Sequence, residues 1–412
     1  MTKPRLIVTG FDPHPERGSE PGKSFAWTKA LSEFFEIHFI SGPEAAEVCQ
    51  KSGRGQDWFF YSLPVPLLPP SIFGFYKHYH LWCQLLIPKC REVINKIQPV
   101  GLYHSMMGSF RLFPDYSRLP VPYALCPLGG GEFAPMHLLL DAALPKLELV
   151  KESLRPAINH ACLLNPQVRR VLRHSRIALA TTTETESLLR WAGAKNTAVV
   201  FPDALDLSRS PADPLSTRRQ QQNELRENFR CVWSGRFLWW KGGQMALNFL
   251  HRLRQSGCNA TLDIYSDGPG INRLKTMAVE LGLAEYARFR GLVPRSDLLK
   301  AYLNSHLFVY PTMHDSSSSA IPEAYSTGLP TFTLALGGTL VATDPRAGCN
   351  QVPGSIPEWY DRGLGMVQRW MADPALWLAA CEAACQKSAS FSLAAVTAAA
   401  RQHIVPCFDH GA

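Results

Sequence analysis

The residues best equipped for chemistry sit in two short segments of the second half of the chain. The first runs Val232-Trp-Ser-Gly-Arg-Phe-Leu-Trp-Trp-Lys-Gly-Gly243. It follows an apolar run and leads into a helical pattern, so Arg236 and Lys241 flank a strand-to-helix turn. Two cations at the carboxyl end of a strand can bind a diphosphate, arginine as a fork and lysine as a point charge. The second segment starts at Tyr310, passes Asp315 and the four serines Ser316, Ser317, Ser318 and Ser319, and enters a short helix predicted over 319–327. Free amides at a helix N-terminus favour phosphate. Asp315 and Glu323 cannot bind a phosphate, but they accept hydrogen bonds from sugar or ribose hydroxyls. Phosphate-binding amides bracketed by hydroxyl-binding carboxylates describe a nucleotide-sugar site. Each part alone has a plainer reading: a solvated surface cation, or a capped helix with two surface acids. Their conjunction carries the signal.

The first half offers weaker candidates. Gly18-Ser19-Glu20-Pro21-Gly22-Lys23-Ser24 is one residue short of a phosphate-binding G-x4-G-K-S loop, and no strand ending in a magnesium-binding Asp follows. Its glycines would let backbone approach a ligand closely. Gly129-Gly130-Gly131-Glu132 formally opens a dinucleotide fingerprint, but the acidic strand end expected about 20 residues later is missing, and 138–150 reads as a helix instead. His104 ends a strand and can act on a hydroxyl; Arg111 follows it by seven positions. His78 and His80, two apart, fall on different sides of a helix and do not make a metal pair.

These side chains need elements to position them. Short apolar runs alternate with helical patterns: Leu6–Thr9, His38–Ser41, Gly101–His104, Tyr123–Cys126, Ile177–Ala180 and Ala198–Phe201. A polar stretch over 206–230 reads as a linker. The alternation restarts with Cys231–Ser234, Thr261–Tyr265, Ala287–Gly291, Leu307–Pro311 and Thr331–Leu336. Near-continuous apolar strands separated by helices predict parallel sheets covered on both faces. The expected division is 1–205, 206–390, and a closing helix over 391–412. Ligands of open α/β sheets sit outside the carboxyl ends of the strands.

Here the chain resembles a family. Gly235, Arg236, Lys241 and Gly242 are similar to the Gly-Arg-x4-Lys-Gly element of the retaining glycosyltransferases of family 4. Asp315-x7-Glu323, with Ala324, Gly328 and Pro330, resembles that family's Glu-x7-Glu element, with Asp in place of the first Glu. Gly-Ser-Glu-Pro-Gly, Gly-Gly-Gly-Glu and His-Asp-Ser are similar to a subset of it. The resemblance implies a GT-B fold, α/β with two Rossmann-like domains whose parallel sheets face across a cleft. It implies transfer of a hexose-like sugar from a nucleoside-diphosphate sugar, UDP- or GDP-linked, to an acceptor hydroxyl, with retention and without a metal or other cofactor. Arg236 and Lys241 would then neutralise the diphosphate. Asp315 would hold the donor sugar, Glu323 the ribose, and His104 would sit near the reacting sugar. Gly18, Gly235, Ser316, Ser317, Ser318 and Ser319 would line the donor, with Val293 near the base. Ser19, Glu20, Gly22, Arg111, Gly130, Gly131 and Glu132 would face the acceptor. Other readings stay open: a non-catalytic nucleotide-sugar or glycan binder, or a sugar epimerase on the same fold.

Composition bounds the class. The 412 residues carry 42 Lys and Arg against 34 Asp and Glu, a net charge of +8, which suits an anionic small ligand without requiring nucleic acid. Eleven cysteines include no Cys-x-x-Cys pair, so neither a disulfide framework nor a zinc cage is expected. The N-terminal apolar run is too short for a signal peptide, and no apolar stretch is long enough to span a bilayer, so a cytoplasmic place is expected. The stretch 153–183 contains no acid and carries five arginines, and 73–84 is aromatic and basic. Both would suit a glycan or lipid-linked acceptor, or a peripheral contact with an anionic membrane.

Overall fold

The computed structural model describes residues 3–15, 19–52, 55, 57–65, 74–142, 144–207, 210–268 and 270–409. The chain forms two compact units. The first holds Met1–Gly131, Pro156–Ala204 and Leu393–Ala412, and the second holds Glu132–Arg155 and Leu205–Ser392.

The first unit is built on a 7-stranded sheet in the order β3-β2-β1-β4-β5-β6-β7. Its strands are β1 Arg5–Thr9, β2 Glu36–Ser41, β3 Phe59–Ser62, β4 Gly101–His104, β5 Tyr123–Leu128, β6 Ile177–Ala180 and β7 Thr197–Val199. All the pairings are parallel. The central strands are apolar without alternation because helices cover both faces: Leu6, Ile7 and Val8 are fully buried. The helix Leu393–His403 packs on the helix Ser19–Leu31 in this unit.

The second unit has a 6-stranded parallel sheet, order β10-β9-β8-β11-β12-β13. These strands are β8 Phe229–Ser234, β9 Ala260–Tyr265, β10 Ala287–Phe289, β11 Leu307–Tyr310, β12 Thr331–Thr333 and β13 Gly348–Asn350. The helix Ile356–Ala372 closes it. Ser355 caps that helix by accepting from the Glu358 amide at 3.2 Å, and Glu358 accepts in return from Gly354. Trp359 then stacks flat on Phe332 of β12, ring centroids 3.9 Å apart.

Both sheets reverse strand order at one point, between β1 and β4 and between β8 and β11. Connections after adjacent strands diverge there and leave a crevice, the usual ligand seat of such sheets. The segments with Lys241 and Asp315 follow β8 and β11, the pair at the second reversal.

The structure departs from the sequence expectations in four places. The segment Glu132–Arg155 belongs to the second unit, because Leu138, Leu139 and Ala142 are buried in that unit's core. The 206–230 stretch is no loose linker: it contains a helix, Pro214–Gln221, and Arg218 is fully buried, donating to the carbonyls of Thr327 and Tyr302. The helix expected over 138–150 is two helices, Met136–Asp141 and Lys146–Leu163, separated at Leu144-Pro145. The Gly-rich stretch before Lys23 is not a loop throughout, since a helix already starts at Ser19 and Gly22 lies inside it. Gly18 lies outside the described residues.

Candidate functional site

In the second unit, β8 ends at Ser234 and the chain turns through Gly235, whose φ of +133° only glycine adopts without strain. Arg236 follows, exposed and without a polar partner among the described residues. A short 3-10 turn, Trp239–Lys241, then delivers Lys241 inward. Gly242 has φ +75°, and a Cβ there would stand 2.3 Å from the Pro311 carbonyl oxygen. The β8 and β11 loops touch at that glycine.

Lys241 Nζ donates to the Tyr310 hydroxyl at 2.8 Å and to Asp315 Oδ2 at 2.7 Å. The Tyr310 hydroxyl also donates to Asp315 Oδ2, at 3.0 Å. All three residues are largely buried. Burial alone would push the ammonium toward neutrality, but Asp315 and Tyr310 outweigh it and hold the Lys241 pKa above the usual lysine range. The same burial raises the Tyr310 phenol to about 12, so it stays a donor. Asp315 Oδ1 has no protein partner among the described residues. An ammonium has three donors, and two are used here.

Glu323 lies on the helix Ala320–Ser326, shorter than the predicted span. Its Oε1 sits 3.0 Å from Arg295 Nε, an ion pair invisible from sequence spacing. Arg295 opens the helix after the β10 turn that carries the half-buried Val293. Ser318 is buried; Ser316, Ser317 and Ser319 are half-buried, and Ser319 precedes the helix without a side-chain cap. Gly338 packs on this loop, donating its amide to the Asp315 carbonyl at 2.6 Å. Glu132 is buried beside Gly337 in this same unit.

In the first unit, His104 is fully buried. Nδ1 lies 2.8 Å from the Tyr116 hydroxyl, which also contacts Thr9 Oγ1, and Nε2 lies 3.3 Å from the Met107 carbonyl. Desolvation lowers its pKa to about 4, so the ring is neutral. Both ring nitrogens thus have protein partners in this conformation. Glu20 accepts from the Gly108 amide at 2.8 Å. Arg111 is half-buried; it donates to the Gly130 carbonyl at 2.6 Å and to Asn159 at 3.2 Å, so it braces the glycine turn. Gly130 has φ +105°, and a Cβ there would meet the Arg111 guanidinium at 2.9 Å. The Gly131 amide donates to Thr185 Oγ1 at 3.1 Å.

Residues 228–368 match the family model of glycosyl transferases group 1. A D-inositol 3-phosphate glycosyltransferase of Corynebacterium jeikeium is 28% identical over 224 residues, 52% of this chain and 52% of its own length. A 2-deoxystreptamine glucosyltransferase of Streptomyces kanamyceticus is 25% identical over 163 residues, 39% of this chain and 42% of its own. The chain thus spans about half the length of these curated relatives. Among solved structures, the sucrose-phosphate synthase of Thermosynechococcus elongatus superposes over 97% of this chain and 98% of its own, with TM-score 0.68 and 14% identity. HepE of Anabaena, solved in complex with UDP, covers 97% and 98% with TM-score 0.65 and 14% identity. The fold is therefore GT-B, with two Rossmann-like units, and its second unit carries the match to the group 1 glycosyltransferases.

Proposed function

We propose that the protein is a glycosyltransferase that moves a hexose-like sugar from a nucleoside-diphosphate sugar to an acceptor hydroxyl, in glycan or glycolipid assembly. The observation that carries this reading is the buried Lys241–Tyr310–Asp315 cluster at the strand reversal of the second sheet, with the exposed Arg236 on the same β8 turn as Lys241. The UDP complex of a structural neighbour and the names of the sequence relatives support it.

The chemistry follows from the donors. Arg236 is free to take a phosphate oxygen as a fork. Lys241 keeps its charge and one N–H for the diphosphate while two others hold Tyr310 and Asp315. Asp315 Oδ1 accepts a hydroxyl of the donor sugar. Together the two cations stabilise the leaving nucleoside diphosphate as negative charge builds on it, the part a divalent ion plays in other transferases. Family resemblance adds retention at the anomeric carbon, a departing phosphate oxygen that takes the acceptor's proton, and acceptor choice by the first unit.

Thermal-shift measurements against UDP, GDP, ADP, CMP and their sugars test the donor. Ligand at 100 times its Kd stabilises the folded state by about 2.7 kcal/mol. One UDP or GDP pair raising Tm is the expected result; no response to any nucleotide would contradict the reading. A donor bound without transfer or hydrolysis would mark a non-catalytic binder instead.

A further inference from the structure

The residue before each member of the Lys241–Asp315 pair is aromatic. Trp240 and His314 stack on one another, ring centroids 4.0 Å apart and 28° between planes. The Met313 amide donates to the Trp240 carbonyl at 2.8 Å. The β8 and β11 loops are thus joined at three successive steps: Trp240 on His314, Lys241 on Asp315, and Gly242 against Pro311. A shift of one step moves the others.

His314 is held from behind. Its Nδ1 lies 2.9 Å from Glu152 Oε2, an ion-pair contact rather than a linear hydrogen bond. Glu152 is buried on the helix Lys146–Leu163 and is gripped by Arg155, whose Nε and Nη2 donate to its two oxygens at 2.9 and 3.2 Å. A buried carboxylate costs stability unless it is paired, and this one is paired on both sides. Nothing in the nucleotide-sugar motifs requires it. Its helix ends 66 residues before β8, yet it is the element that reaches the back of the donor loops.

We propose that Glu152 is a positioning residue of the donor site, acting through His314 to keep Trp240–Lys241 and His314–Asp315 in register. This rests on the function proposed above. The groups facing His314 are Glu152, Arg155 and Asp315, and Lys241 lies over the Trp240 ring at 4.8 Å. Burial holds the His314 pKa below the ordinary histidine value, while Glu152 opposes it by favouring the imidazolium and Arg155 adds to the lowering.

An imidazolium stacked on an indole quenches its fluorescence, so the Trp240 signal reads the state of His314. That signal is the emission of the full-length protein minus that of Trp240→Phe. It should fall as pH is lowered below the ordinary histidine value, because burial depresses the His314 pKa. In Glu152→Gln, which keeps size and an acceptor, the midpoint should move to lower pH, because the carboxylate favouring the cation is gone. Donor turnover should drop by up to about 10²-fold, the order expected for ångström-scale misplacement. His314→Gln should give a similar loss. An unmoved midpoint in Glu152→Gln would overturn the proposal, as would unchanged kcat and donor KM in an active enzyme. If the wild-type protein turns over no nucleotide sugar, the functional reading fails by itself. The midpoint then still decides the coupling of Glu152 to His314 and Trp240, and UDP or GDP affinity of the variant decides its effect on the site.

Discussion

Lys241 and Asp315 form a buried ion pair, so each depends on the other for its charge. Removing one partner strands the other and should cost about 3–5 kcal/mol. Lys241→Met and Asp315→Asn should each lower the denaturation midpoint strongly, and the double variant by less than their sum. Additive losses in urea melts would mean the pair is not coupled. His104 gives a pH prediction. Its folded pKa, about 4, lies below its ordinary 6.5, so the unfolded chain binds the proton more readily. Its contribution is intact above pH 6.5 and is lost as pH falls toward about 4, by roughly 3 kcal/mol in all. His104→Gln should flatten stability across that window; an unchanged slope would count against a buried neutral ring. The two turns that carry Arg236, Lys241, Asp315 and Glu323 were legible because their spacing is local. Tyr310, Arg295 and Glu152 were not, because each meets its partner through the fold: Arg295 and Glu323 lie on separate helices, and Glu152 and His314 are 162 positions apart. The burial of His104 was not legible, because a strand-end position says nothing of whether the ring is covered.

Single glycines hold these loops in register. Gly242 combines a left-handed conformation with contact to the Pro311 carbonyl. Gly242→Ala should destabilise the protein by about 2 kcal/mol or more, through strain and through that overlap. A chemical melt that matches the parent would show that the β11 loop yields freely. Interior strands were readable because burial on both faces makes them continuously apolar. The two strands that escaped reading, β3 and β13, lie at sheet edges. β3 is a short aromatic run, Phe59-Phe60-Tyr61-Ser62, with Phe59 half exposed, and β13 is only Gly348-Cys349-Asn350, with no apolar run. The break between Met136–Asp141 and Lys146–Leu163 sits at a proline inside an otherwise helical pattern, a breaking signal present in the sequence.

For the molecule as a whole, two α/β units were legible from the rhythm of strands and helices, but their membership was not. Glu132–Arg155 comes from the first half of the chain and supplies Leu138 and Leu139 to the second core. Leu138→Ala should therefore cost about 2–5 kcal/mol and reduce hydrogen-exchange protection in β8–β13, leaving the first sheet protected. Lost protection in the first sheet instead would reassign the segment. Among the described residues no helix is long and apolar enough to cross a membrane. The central claim is that the second unit binds a nucleoside-diphosphate sugar and expels its diphosphate with protein cations. Arg236 tests it most directly, because the side chain is exposed and its removal leaves the buried cluster intact. The measurement is release of nucleoside diphosphate by the wild-type chain and by Arg236→Ala, each with and without a metal chelator. The account predicts turnover that is indifferent to the chelator and about 10²-fold slower in a folded Arg236→Ala. Near-normal release by that variant would contradict it.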